Sequence, residues 1–163
     1  MTGKELRNRQ SILEISCDEY FLAVEELLRE KRTVTIPARG TSMIPFIEEG
    51  RDRVELSGTD LHGLKRGDIV LARTDKGLVL HRIVKKEECG DFILMGDGNL
   101  HTTERCSEED ILGKAVRICR EGKRRDCQGR PEIVKSWLWM RLRPVRRPLL
   151  LIWKKFGTGR SGH

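Results

Sequence analysis

From Ser16 to Arg32 the apolar residues Phe21, Val24, Leu27 and Leu28 recur at helical spacing, with Glu25, Glu26, Arg29 and Glu30 between them. This pattern predicts one amphipathic helix. Ser16 stands at its N-cap, with Glu19 three residues on at capping-box spacing. After Lys31 the period changes to two. Short alternating runs at Thr33–Ile36, Arg53–Leu56, Asp68–Arg73, Gly77–Lys85, Asp91–Met95 and Gly113–Cys119 predict six strands, separated by turn-formers such as Gly50, Ser57-Gly58, Asp75-Lys76-Gly77 and Glu88-Cys89-Gly90. Strands this close leave no room for crossover helices. The expected fold class is therefore mainly β, an antiparallel sheet coiled into a small barrel or sandwich.

From Pro131 to Phe156 the pattern changes again. Trp137, Leu138, Trp139, Leu142, Leu149, Leu150, Ile152 and Trp153 alternate with arginines and lysines, and all three tryptophans of the chain lie here. Pro144 and Pro148 interrupt this stretch, which predicts two short amphipathic helices rather than one rod. The expected organisation is an N-terminal helical segment over 1–32, a β domain over 33–120 and a basic Trp/Arg-rich tail over 121–163.

Charge sharpens that division. The chain carries a net +7, yet from Arg120 onward it has 13 Lys/Arg against 3 Asp/Glu, whereas residues 1–119 hold 19 basic against 22 acidic. Basic character confined to an appendage favours a surface-binding segment over a wholly basic nucleic-acid-binding domain. The tail admits three readings: helices that pack their tryptophans on the body, an anchor on an anionic membrane surface, and a nucleic-acid contact, the last disfavoured because such contacts present aromatics singly on a sheet or groove. The five cysteines form no C-x-x-C pair, so neither a disulfide framework nor a zinc site is expected, and a reducing compartment fits. The N-terminus lacks an apolar signal-peptide core, and the longest apolar run, Leu149–Trp153, is far below the roughly 20 residues of a spanning helix. The expected location is cytoplasmic, peripheral on the inner membrane face if the tail binds lipid.

Three stretches carry candidate chemistry: Gly40-Thr41-Ser42-Met43-Ile44-Pro45, Val79-Leu80-His81-Arg82-Ile83-Val84 and Met95-Gly96-Asp97-Gly98-Asn99. A serine in a turn after a strand, a histidine within a strand and an aspartate in a glycine-flanked turn converge only through tertiary folding, as nucleophile, base and orienting acid usually do. His62 and His101 sit in polar loops and read as solvated. In order and spacing, G-x-S-M-x-P, then H-R-[IV]-V, then G-D-x-N, with Leu64–Val70 resembling a V-x-x-G-D-[IV]-[IV] strand entry, the chain resembles the type I signal peptidases from about Thr33 to Arg120. The nearest likeness is to their Ser-His archaeal and endoplasmic-reticulum branch, within a superfamily that also holds the SOS-repressor peptidases.

The resemblance implies coiled antiparallel sheets and hydrolysis of a peptide bond in a precursor or leader peptide through an acyl-enzyme. Residue by residue, it implies Ser42 as nucleophile, with its N–H donating to the oxyanion, His81 as general base and Asp97 as the acid. Met43, Thr41 and Pro45 would contact substrate, which would carry small residues beside the cut bond. No metal or organic cofactor is implied. Two departures stand out: Gly40 replaces a hydroxyl residue common two positions before the nucleophile, and the stretch where the eukaryotic pattern has further aspartates reads Leu100-His101-Thr102-Thr103-Glu104. The alternative is a non-catalytic module of the same fold that grips an extended peptide as an added strand.

Overall fold

The computed structural model describes residues 17–58 and 63–157; Ser16 and His62 lie outside them. The fold is mainly β, a curled antiparallel half-barrel with one helix before it and helices after it. The element order is α1 (Cys17–Arg29), β1 (Thr33–Pro37), β2 (Asp52–Ser57), β3 (Ile69–Thr74), β4 (Gly77–Lys86), β5 (Phe92–Met95), β6 (Glu104–Cys106), β7 (Ile111–Arg120), β8 (Lys123–Asp126), α2 (Arg130–Arg141) and α3 (Arg146–Gly157). The six strands read from alternation are all present. Two more, β6 and β8, are too short to show a period, at 3 and 4 residues.

The strand order is β1-β2-β7-β3-β4-β5-β6. The long β7 bridges the sheet: β2 lies along one edge, while β3 pairs with its first half and β8 with its second on the other. Register breaks at Glu55/Leu56, Leu71/Ala72 and Ile83/Lys85. Irregularities of this kind bend strands and increase twist, which is how a single sheet curls into a half-barrel.

The curl creates two apolar cores. Val24 and Leu28 of α1 pack with Ile36, Val54, Leu56, Ala115 and Ile118 on one side. Ile83, Phe92, Leu94, Cys106 and Ile111 form the other. Strand β3 serves both, sending Ile69 and Leu71 to the first and Val70 and Ala72 to the second. That explains its unbroken apolar run, since a strand buried on both faces has no polar side to show. Helix α1 ends in a Schellman arrangement: Arg32 N–H donates to Leu27 O at 3.0 Å and Lys31 N–H to Leu28 O at 2.9 Å, with Lys31 in the left-handed region at φ 60°.

The tail divides as its prolines require, but only once. A 3-10 turn over Arg143–Val145 separates α2 from α3, and Pro148 falls in the first turn of α3, where a missing N–H costs nothing. Residues 123–153 pack on the rest of the fold. Strand β8 extends the sheet, and Trp139 and Leu150 join a third apolar cluster with Ile44, against which Phe46, Leu100 and Trp153 pack. Arg146, one of the tail cations, is 1% exposed; it donates to Trp139 O through Nε at 3.2 Å and Nη2 at 3.0 Å and stacks 5.1 Å from the Trp139 ring. This closes the carbonyl end of α2, where backbone acceptors lack helical partners.

The loop from β1 to β2 is anchored through Asp52, whose side chain is fully buried. Its oxygens accept from Arg120 Nε at 2.7 Å, Arg51 Nη2 at 2.9 Å and Glu48 N–H at 2.9 Å. Burial alone would raise its pKa, but Arg120, Arg51 and the Glu48 amide outweigh it and hold the carboxyl below its ordinary value. A depressed carboxyl stabilises the fold fully above about pH 4 and loses that contribution as pH falls through its lower folded value. Asp52→Asn is expected to lower stability at neutral pH by about 2–3 kcal/mol. It should also flatten the loss of stability on acidification below about pH 4, as read by urea titration across pH.

Candidate active site

Ser42 lies in the β1–β2 loop, just before a helical turn in which Met43 O accepts from Phe46 N–H at 3.1 Å and Ile47 N–H at 3.0 Å. The loop rests on the Gly96–Asn99 turn that follows β5. Gly98 N–H donates to Ser42 O at 2.7 Å, and a Cβ added at Gly96 would come 2.4 Å from the same carbonyl. Only glycine permits this approach, which is the local reason for the Gly-Asp-Gly sequence.

His81 sits in the middle of β4, 5% exposed, and lines one cavity of about 130 Å³ together with Ser42. The other walls of that cavity include Ala38, Gly40, Met43, Ile47 and Leu80. The structure thus brings Ser42, His81 and Met43 to one place. Met43 is also buried in the first core, so it supports the loop as well as facing the cavity. Thr41 turns to a second cavity of about 310 Å³ between Ile44, Gly98, Asn99 and Leu100 and the α3 residues Arg147, Leu150 and Leu151. Pro45, joined to Ile44 by a cis peptide, lines neither cavity.

The carboxylate on His81 is that of Glu104, not of Asp97. His81 Nδ1 lies 2.8 Å from Glu104 Oε2, with both side chains almost wholly buried, and Lys76 Nζ is 3.4 Å from the other oxygen, Oε1. An ionised carboxylate only accepts, so a neutral ring in this contact would carry its proton on Nδ1 and have its lone pair on Nε2. Period-two alternation explains the pairing. His81 pairs across the sheet with Val70, and Ile83, two residues on, pairs with Leu94, which pairs with Glu104. These residues share one face.

Arg82, the next residue, faces the other way and takes Asp97. Its Nε and Nη2 donate to the two Asp97 oxygens at 2.8 and 2.6 Å, while Nη1 donates to Gly67 O at 2.7 Å and Ser136 Oγ at 2.6 Å. Burial by itself would lower the Arg82 pKa, but the adjacent Asp97 charge more than compensates and raises it. The Asp97 carbonyl in turn accepts from Trp139 Nε1 at 3.0 Å. Asp97 is therefore a structural pivot beside the Ser42 loop. The sequence reading missed Glu104 because it lies on the three-residue β6, too short to show a period.

Burial pushes the Cys106 thiol up to about 11 and the Cys127 thiol up to about 12, so both stay protonated at neutral pH. Glu87, Cys89 and Asp91 cluster at the β4–β5 turn within reach of a common point, but Arg105 occupies that charge, 2.7 Å from Glu87, 2.9 Å from Asp91 and 3.4 Å from Cys89 Sγ. His101 is exposed. Comparison with protein-family models, curated proteins and solved structures finds no match to this chain.

Asp97→Asn would leave the Arg82 guanidinium buried with half its carboxylate support gone. It is expected to cost about 3–5 kcal/mol of stability, measured as a shift in the denaturant midpoint. Glu104→Gln, which leaves the Arg82 pair intact, should instead alter the His81 ring tautomer in ¹⁵N NMR.

Proposed function

We propose that the chain is a serine peptidase in which Ser42 is the nucleophile, His81 the general base and Glu104 the carboxylate that orients the base. The observation that carries this reading is that Ser42 and His81 wall one cavity while Nδ1 of the His81 ring is engaged by a buried carboxylate. A serine hydroxyl is not ionised at neutral pH and attacks a carbonyl only when a base takes its proton. With Nδ1–H held by Glu104, the free Nε2 is the nitrogen that accepts.

In this reading Ser42 Oγ adds to the scissile carbonyl as its proton passes to His81 Nε2, and Glu104 stabilises the imidazolium. The Ser42 N–H, in no backbone hydrogen bond among the described residues, would donate to the developing oxyanion. His81 then returns the proton to the departing amine, leaving an ester on Ser42. Water attacks that ester, giving a proton to His81, which passes it back to Ser42 Oγ as the carboxylic product leaves. The small cavity with Ala38, Met43, Ile47 and Leu80 suits a small apolar side chain beside the cut bond, in a precursor or leader peptide held extended. The order of the Ser-Met, His-Arg and Gly-Asp motifs, similar to that of type I signal peptidases, points the same way.

The test is phosphonylation by a fluorophosphonate probe, in which a serine Oγ–P bond forms and fluoride leaves, read by intact mass, followed by turnover of a peptide with small residues at the cut site. The wild-type chain should label at Ser42. Ser42→Ala, while melting normally, and His81→Ala should each lose turnover by a factor on the order of 10⁵–10⁶. Glu104→Gln should lose about 10³–10⁴, as expected when the base is held in the wrong tautomer. A folded wild-type protein that neither labels nor cleaves would instead favour the peptide-binding module.

A further inference from the structure

We propose that α2 and α3 seat the protein on an anionic lipid bilayer through the faces they turn away from the sheet. Each helix has two unlike sides. In α3 the inward row is Arg146, Leu150 and Trp153, while Leu151 and Ile152 point outward at 64% and 55% exposure. In α2, Trp139 and Met140 are buried, whereas Val134, Trp137 and Leu138 are 60%, 54% and 50% exposed. Half-exposed large apolar residues in rows on adjacent helices, one of them a tryptophan, mark an interaction surface rather than scattered surface hydrophobes.

The charge around these rows selects the occupant. Arg130 and Arg141 bracket the exposed row of α2, and Arg147 and Lys155 that of α3. None of the four forms an ion pair among the described residues. From Ile133 to Gly157 the chain has no acidic residue at all. The Arg141 guanidinium lies 4.8 Å from the Trp137 ring centre, placing a cation beside an aromatic that projects into solvent. Beside that pair, a groove of about 210 Å³ runs between α2 and the turn before β3, with Trp137 and Met140 on one wall and Lys65, Arg66 and Arg141 among its lining residues.

The stretch from Ile133 to Gly157, which presents hydrocarbon among positive charges and no acid, matches a phospholipid interface, which supplies acyl chains and phosphates together. A protein partner would be met by a mixed-charge rim, and a nucleic acid would leave the aliphatic rows uncovered. No helix among the described residues is long and apolar enough to cross a membrane, so binding in the interfacial plane is the geometry available to these two helices. Because Trp139 and Leu150 are occupied on the sheet, the lipid contact falls to Trp137, Leu138, Leu151 and Ile152.

The experiment is co-sedimentation of the full chain with vesicles of phosphatidylcholine alone or mixed with phosphatidylserine, with tryptophan emission recorded alongside. Binding should be strong only to the anionic vesicles and shift the emission to the blue. It should fall sharply at 1 M salt, where the Debye length is about 3 Å against about 10 Å at 0.1 M. Arg141→Gln and Lys155→Gln should each weaken partitioning about five-fold, and Leu151→Ser with Ile152→Ser about ten-fold or more. Melting temperatures identify any variant that fails to fold, and the two Gln variants, at exposed cations, then carry the test. Equal binding to both vesicle types, binding to neither, indifference to the Gln variants, or a lipid-free dimer that covers Trp137 would each overturn the proposal. Fluorophosphonate labelling in the absence of lipid is a separate readout, so failure here and failure of the peptidase reading are distinguishable.

Discussion

The buried pair of Arg82 and Asp97 is the interaction on which the rest of this structure depends. Two opposite charges, at 4% and 1% side-chain exposure, are tolerable only because every strong demand they make is met: Asp97 by two guanidinium nitrogens, Arg82 additionally by Gly67 O and Ser136 Oγ. Satisfying them draws together four parts distant in sequence: strand β4, the turn after β5, the turn before β3 and helix α2. The Gly96–Asn99 turn is thereby fixed, and through Gly98 N–H it holds the Ser42 carbonyl.

The same strand that supplies Arg82 supplies His81 to the opposite face. Adjacent residues with unlike tasks are a natural product of the pleat, which separates neighbours and groups every second residue. His81 can therefore be oriented by Glu104 on β6 without competing for Asp97, which the arginine fully occupies. Side chains are held in one rotamer by their supports, and here His81 is set within a sheet and the Ser42 loop is clamped at Asp52 on one side and at the Gly96–Asn99 turn on the other.

The tail helices belong to this scaffold. Trp139 donates to the Asp97 carbonyl and stands edge-on to Phe46 at 5.5 Å, while Arg82 lies 5.6 Å from the same Phe46 ring. One side of α2 and α3 thus braces the floor of the candidate site, and the other presents apolar rows between cations. A segment that reads in composition as an appended anchor is structurally a wall of the domain, and removing it would uncover Ile44 and strip Arg82 of Ser136.

The periodicities of this chain determined its fold class: helical spacing gave α1, alternation gave six strands, and the short turns between them required antiparallel pairing. The motif stretches singled out Ser42 and His81, which the fold brings to one cavity, because glycine-flanked turns and a polar residue inside an apolar strand are local features. Three things were decided only by tertiary structure. Strands β6 and β8 are shorter than the window in which alternation can be seen, so Glu104 had no pattern to announce it. The choice between Asp97 and Glu104 as the acid on His81 turned on which face of β4 each residue occupies and on the presence of Arg82 as a stronger partner for Asp97. The division of the three tryptophans into packed and exposed followed from where α2 and α3 meet the sheet. Local spacing specifies which element a residue belongs to, whereas its partner is set by burial and charge across elements that meet only after folding.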